Sequence, residues 1–280
     1  VNKEVAIDDL ITSPIILSKK AGGESNPYFP KPPHIYPYNR LNSRGFDLSD
    51  EINLAQLQNN LNNYERKQYS AYPLIEGVSK PDDKNPDIIL NPADTCEIVG
   101  QVIKATADDI ELAITNAEAS FKGWSTTAPK DRAQILLNMA DQLEENYFEL
   151  LNILIREAGK SLANAISEVR EAVDFCRYYA IQVVNEFSND THKPIGTLVC
   201  ISPWNFPLAI FLGEVSSCLV AGNCVIAKPS YQTNLIAFYA IELFYAAGAP
   251  RGVLQFMPGS GSTIGNQLTA HPKVKGVIFT

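Results

Sequence analysis

Three short segments in the last third of the chain carry residues that could do chemistry together. Ser202-Pro203-Trp204-Asn205-Phe206-Pro207 sets one amide side chain between two aromatic residues. A polar amide in such a setting needs partners once buried, so Asn205 either ties down its own turn or faces a ligand. Lys228-Pro229-Ser230-Tyr231 supplies a single cation. A lone lysine there is either solvated or ligating. Pro258-Gly259-Ser260-Gly261-Ser262-Thr263-Ile264-Gly265 is rich in glycine and small hydroxyl residues. Its G-x-G-x-x-x-G spacing is one residue off the dinucleotide fingerprint, and no acidic residue follows at about 20 positions. A plain tight strand-to-helix turn explains it equally well. Taken together, an amide, a lysine and a glycine-rich helix start suit an anionic, sugar-bearing ligand such as a dinucleotide.

The elements that must position these segments are legible in the spacing of apolar residues. Leu198-Val199-Cys200-Ile201, Cys224-Val225-Ile226-Ala227, Val253-Leu254-Gln255-Phe256 and Val277-Ile278-Phe279 are short, almost wholly apolar runs. Longer helical patterns separate them, at about 207–220, 233–247 and 262–269. Residues 195–280 carry only six charged side chains: Glu214, Lys228, Glu242, Arg251, Lys273 and Lys275. Apolar strands alternating with helices predict an open parallel, Rossmann-like α/β sheet covered on both faces. In such a sheet the three segments open on one edge, at the carboxyl ends of the strands, where ligands bind.

Upstream, residues 108–187 read as helical. Ile110, Ala113, Ile114 and Ala117 share one face, Pro129 suits a first turn, and Gly159 suits a helix end. A further helix is expected from about 162 to 187, with Ile166, Val169, Val173 and Cys176 inward and most of the charges on solvated outer faces. Residues 88–102 read as two strands around Asn91-Pro92-Ala93-Asp94, and 49–69 as a first helix. Ten of the 18 prolines fall before residue 93, five of them between Asn26 and Pro37 among aromatic residues. That stretch is expected to run extended and to pack on a surface; a polyproline ligand for a partner module is the other reading. The expected division is an extended N-terminal arm over 1–48 and a cofactor domain over 49–280.

Composition removes several classes of function. The chain is 45% apolar and 19% charged, with a net charge of -8. Those are the proportions of a globular protein, and the acidic balance argues against a nucleic-acid surface. No apolar run is long enough for a transmembrane segment. Cys96, Cys176, Cys200, Cys218 and Cys224 form no C-x-x-C pair and have no histidine at ligand spacing, so no metal is expected. Reduced, mostly buried thiols in a cytoplasmic protein are expected instead. Residues 1–20 lack the pattern of a secretory signal.

Ile201-Ser202-Pro203-Trp204-Asn205-Phe206-Pro207 and Ala227-Lys228-Pro229-Ser230 resemble the aldehyde dehydrogenase superfamily closely. Pro258-Gly259-Ser260-Gly261 and Gly276-Val277-Ile278-Phe279-Thr280 continue the match in order, and the resemblance covers about residues 85–280. The segments at 39–49 and 170–180 resemble the dehydrogenase module of bifunctional proline-utilisation flavoenzymes. The resemblance implies an NAD-dependent oxidation of glutamate semialdehyde to glutamate. It implies that Asn205 donates its amide to the oxyanion formed when a cysteine thiolate attacks the aldehyde. Lys228, beside Ser230, would bond the adenosine ribose. Ser202, Pro203 and Trp204 would line the nicotinamide side, and Gly259 would let the backbone approach NAD closely.

The resemblance also implies a homo-oligomer, and FAD only where a proline dehydrogenase module lies upstream. Three departures accompany it. The family's general-base Glu and nucleophilic Cys follow the point matched by Phe279-Thr280, so an incomplete fold and no activity of residues 1–280 alone are expected. Relatives usually carry Glu where this chain has Tyr231. The segment from Ala180 to Pro194 is short where relatives carry a strand-rich excursion. The alternatives are an aldehyde dehydrogenase of other specificity and a non-catalytic packing or dimerisation fragment.

Overall fold

The structure, a computed structural model, describes residues 6–23, 26, 28–81 and 85–280. Residues 1–5 of the N-terminal reading and Pro27 of the proline-rich stretch lie outside them. The chain forms two compact units, Val1–Asn42 and Ser43–Thr280.

The first unit holds two short helices, α1 (Ile7–Ile11) and α2 (Pro14–Lys20), which the sequence pattern had not indicated. The proline-rich stretch then turns once, through a 3₁₀ turn at Pro32–His34. Asn42 holds that turn, its N–H and side-chain amide donating to the carbonyls of Pro33 and Pro32. Tyr28 and Phe29 stay exposed rather than packed, against expectation.

In the second unit, α3 (Glu51–Asn62) starts on Asp50, whose carboxylate accepts from the Ile52 N–H at 2.9 Å. It ends seven residues before the expected Tyr69, which instead opens the strand β1 (Tyr69–Ala71). The hairpin over 88–102 is present as β2 (Asp87–Asn91) and β3 (Asp94–Val102). β1 pairs parallel with β3, giving a small sheet of order β1-β3-β2.

Four helices follow: α4 (Ala107–Thr126), α5 (Pro129–Glu145), α6 (Tyr147–Ala158) and α7 (Leu162–Glu186). Thr106 and Asp109 form a reciprocal capping box at the start of α4, a device whose loss costs about 1 kcal/mol. Gly159 ends α6 in the left-handed region at φ +65°, where a side chain is disfavoured. Most of the charges of these helices lie on solvated or partly solvated outer faces, as expected, with a few exceptions. Arg132, Glu157, Glu168 and Arg177 are buried. Each is paired: Arg132 Nε donates to the Val220 carbonyl at 2.8 Å, and Arg177 makes a fork of 3.0 and 2.9 Å onto Glu144.

The main sheet is built from β4 (Thr197–Ile201), β5 (Cys224–Lys228), β6 (Leu254–Phe256) and β7 (Val274–Phe279). Its order is β6-β5-β4-β7, and every pair is parallel. Between the strands lie α8 (Ala209–Val220), α9 (Asn234–Ala246) and, after a π-helical turn at Gly261–Gly265, α10 (Asn266–Ala270). Alternate residues divide between two apolar clusters. Leu198, Cys200, Val225 and Ala227 pack with α8 and α9. Val199 and Ile226 pack with Ile110 and Ile114 of α4 and Leu268 of α10. β4, β5 and β6 are therefore buried on both faces, which explains their almost wholly apolar sequences. Among the described residues, no helix is long and apolar enough to cross a membrane.

Candidate active site at the strand ends

Parallel register sets the geometry. Ile201 lies opposite Lys228 on one side and Phe279 on the other, and Ala227 lies opposite Phe256. The turns after β4, β5 and β6 consequently leave the same edge of the sheet. Asn205, Lys228 and the glycine-rich turn are brought to that edge together.

Asn205 sits at the crest of the turn between β4 and α8, with Trp204 and Phe206 exposed beside it. Its side-chain amide is exposed and makes no hydrogen bond among the described residues. The turn is fixed through its backbone instead. Lys160, just past the end of α6, donates its ammonium to the Asn205 carbonyl and lies 4.7 Å from the Phe206 ring centroid. The same ammonium pairs with Glu168 Oε1 of α7 at 2.8 Å. Glu168 Oε2 accepts the Leu208 and Ala209 N–H groups at 3.3 and 2.9 Å. It thereby serves as the cap that α8 lacks, since Leu208 at its N-cap carries no acceptor. Pro203 is half-buried. Ser202 is buried, and its hydroxyl has no partner among the described residues.

Lys228 ends β5 and is 3% exposed. Its ammonium donates to the carbonyl of Pro229 at 3.0 Å, and burial pulls its pKa below the usual lysine range. A buried ammonium with one neutral acceptor is under-satisfied, because it has three donors. Ser230 donates to Gln232. α9 has no side-chain cap of its own. Glu157 of α6 supplies one, accepting the Leu235 and Ile236 N–H groups at 2.7 and 2.9 Å.

The three glycines of the third turn differ in what they serve. A Cβ on Gly259 would lie 2.4 Å from Ile264 Cγ1, and one on Gly265 would lie 3.4 Å from Lys228 Cε. Gly259 is thus set by packing and backbone conformation, whereas a Cβ on Gly265 would make an ordinary contact with Lys228. Gly261 faces open space. Ser260 caps the turn, its hydroxyl accepting the Thr263 N–H at 3.1 Å.

Tyr231 turns away from Lys228 to the smaller sheet. Its hydroxyl donates to Asp87 Oδ2 at 2.8 Å, and Lys104 pairs with the same oxygen at 3.0 Å. Burial raises the Asp87 pKa, but Lys104 and Tyr231 outweigh it and hold the carboxyl below its ordinary value. Sequence reading missed Lys160, Glu157, Glu168, Asp87 and Lys104. Glu168 had one signal: it adjoins Val169 on the inward stripe of α7.

Comparison with known proteins places this arrangement. The profile of the aldehyde dehydrogenase family matches residues 80–280. The chain is 44% identical over 280 residues to the bifunctional protein PutA of Salmonella typhimurium, covering 98% of this chain and 21% of that protein. It is 36% identical over 246 residues to the 1-pyrroline-5-carboxylate dehydrogenase of Anoxybacillus flavithermus, covering 84% and 48%. The 1-pyrroline-5-carboxylate dehydrogenase of Thermus, solved with bound NAD, superposes with a TM-score of 0.78 at 31% identity, covering 87% of this chain and 49% of that one. The chain therefore spans about a fifth of the bifunctional relative and about half of the single-function ones. With the family profile matched over most of its length and its strand-end motifs on one edge of a parallel sheet, the chain belongs to the aldehyde dehydrogenase family.

Proposed function

We propose that this chain is the NAD-binding portion of a glutamate-semialdehyde dehydrogenase acting in proline catabolism, in the cytoplasm and as a homo-oligomer. The observation that carries the reading is Asn205: an exposed, unbonded amide on a turn whose backbone Lys160 and Glu168 hold fixed. The substrate follows from the relatives, whose names give 1-pyrroline-5-carboxylate as what they act on. FAD enters only where a proline dehydrogenase module lies upstream. Burial of four of the five free cysteines supports a reducing compartment.

The residues present fit a dinucleotide. Lys228 offers an under-satisfied ammonium, Ser202 a buried hydroxyl without a partner among the described residues, and Gly261 open space above a turn of N–H donors. NAD, when bound, supplies the hydride acceptor. Lys228 would hold the ribose, Ser202 to Trp204 would line the nicotinamide side, and Ser230 and Gly259 would shape the two neighbouring turns. Asn205 would donate to the oxyanion that forms on the aldehyde carbon when a thiolate attacks. Its backbone is pre-set, so little reorganisation is needed as charge develops.

Kinetics of the full-length enzyme test this. Asn205→Ala is expected to lower kcat about 10²–10³-fold, the usual effect of losing one oxyanion donor. NAD affinity and melting temperature should hardly change, because the amide is exposed and unbonded. Turnover within about threefold of the parent would remove the oxyanion role. Parallel loss of stability, NAD affinity and turnover would return Asn205 to a bracing role.

A further inference from the structure

Two thiols that the proposed chemistry does not use meet between the main sheet and α8. Cys200, next to last in β4, and Cys218, in the last turn of α8, are both buried and bring their sulfurs to 3.7 Å. The other cysteines differ. Cys96 is exposed on β3. Cys176 and Cys224 are buried, make no sulfur contact among the described residues, and are pushed by burial up to about 12. In the pair, the contact itself divides the roles. A hydrogen bond from Cys200 holds the Cys218 thiol below its ordinary pKa against burial, and the same bond pushes Cys200 well above. The thiolate is the form that oxidants attack, so Cys218 is the more reactive of the two. A cleft of about 250 Å³ runs along α8 past Ile210, Glu214 and Ser217, and so reaches the residue next to Cys218.

We propose that Cys200 and Cys218 form a reversible oxidation site, at which a peroxide joins β4 to α8 through a disulfide. The Cys218 thiolate attacks one peroxide oxygen. The O–O bond breaks, and the leaving hydroxide takes up the thiol proton and departs as water. Cys218 is left as a sulfenic acid. The Cys200 sulfur then attacks the Cys218 sulfur: the S–S bond forms, the S–O bond breaks, and a second water leaves with the Cys200 proton. Two thiols lose two electrons and two protons, and one peroxide is reduced to two waters. The sulfurs close from 3.7 Å to about 2.05 Å, which draws α8 against β4. The 18 positions that separate the two cysteines include the whole turn that carries Asn205. The bond therefore pins both flanks of that turn and restricts its motion. Thiol reductants reverse it, so in a reducing compartment it is a transient mark rather than a structural brace.

Mass mapping tests this without any measurement of turnover. The reduced full-length protein is exposed to hydrogen peroxide, denatured, blocked with iodoacetamide and digested with chymotrypsin, which cuts beyond Trp204 and Phe211, between the two cysteines. The peptides bearing Cys200 and Cys218 are expected to appear joined and lighter by two hydrogens, with Cys176 and Cys224 blocked as free thiols. Dithiothreitol before blocking should separate them. Cys200→Ala should leave Cys218 as a sulfenic acid that dimedone captures, whereas Cys218→Ala should leave Cys200 a thiol; the reverse pattern overturns Cys218 as the attacking sulfur. The parent's own map decides the pairing if either variant fails to fold. Amide hydrogens of residues 202–208 should exchange about tenfold or more slowly in the linked protein, and unchanged exchange overturns the effect on the turn. A peroxide dose that fully oxidises exposed Cys96 while Cys200 and Cys218 stay unlinked overturns the site, as does a link from either of them to another cysteine.

Discussion

Glu214 is a carboxylic acid buried without a hydrogen-bond partner among the described residues. It lies on α8, is 8% exposed, and neither carboxylate oxygen has a hydrogen bond among the described residues. Burial, aided by the neighbouring Cys218, pushes its pKa up to about 8. The folded chain therefore holds a proton here that the unfolded chain releases near its ordinary carboxyl pKa of about 4.3. Between those two values the folded state binds more protons, so stability falls as pH rises. The contribution is complete below about pH 4 and gone above about pH 8, with a slope of at most about 1.4 kcal/mol per pH unit. Glu214→Gln keeps the shape and removes the titration. Parent and variant are expected to unfold alike in urea at low pH, with the variant progressively more stable toward pH 8 and the gap constant above it. A gap of equal size at every pH would show that Glu214 does not titrate in this range.

At the scale of elements, the two helices that follow β4 and β5 share a device. Neither α8 nor α9 begins on a residue that caps it, and each receives a glutamate from the layer above: Glu168 for α8, Glu157 for α9. These glutamates flank the Gly159 turn, so one bend in the chain aligns two helix starts with the ligand edge. Glu168→Gln tests the device. It keeps an acceptor for α8 but leaves the Lys160 ammonium unpaired, which should cost about 2–3 kcal/mol at this partly buried site. Because Lys160 anchors the Asn205 carbonyl, kcat should fall while NAD affinity holds. Unchanged kcat with only a lower melting temperature would limit Glu168 to stability. The sequence made the helices and strands of this region readable, since each apolar run of the sheet had to be continuous and each helix to keep its stripe. It also showed the strand-end residues, whose position follows once the sheet is parallel. The glutamates were hidden because their partners are backbone N–H groups some 40 to 80 residues away, and a backbone donor has no side-chain signature. β1 was hidden for a related reason. Three residues carry too little alternation to read, and its partner strand starts more than 20 positions later.

At the scale of the molecule, the main sheet has two unlike edges. Beyond β6, Leu74 closes the ladder: its N–H donates to the Phe256 carbonyl at 3.1 Å and its carbonyl accepts the Phe256 N–H at 3.0 Å. β7 forms the other edge. Its first half carries Lys275 and is pinned by an ion pair from Lys273 to Glu118 at 2.6 Å. Its second half is apolar, and Val277, Ile278 and Phe279 are all exposed, Phe279 at 73%. An exposed apolar strand with unpaired backbone groups is a template for another chain. Charge on an edge strand is the usual guard against this, and here it stops before the apolar half. The 280-residue chain is therefore expected to self-associate at micromolar concentration through β7, read as a concentration-dependent sedimentation coefficient. Ile278→Lys with Phe279→Lys should shift the distribution toward monomer, because two charges at the edge oppose pairing while neither side chain belongs to the buried core. Substituting Ile88 and Leu90 of β2 by lysine is the control, since their exposures lie between those of Ile278 and Phe279 but they lie on the smaller sheet. Equal loss of association from both double variants would point to general surface hydrophobicity. A parent chain that sediments as a monomer throughout would show that β7 is guarded by its twist alone.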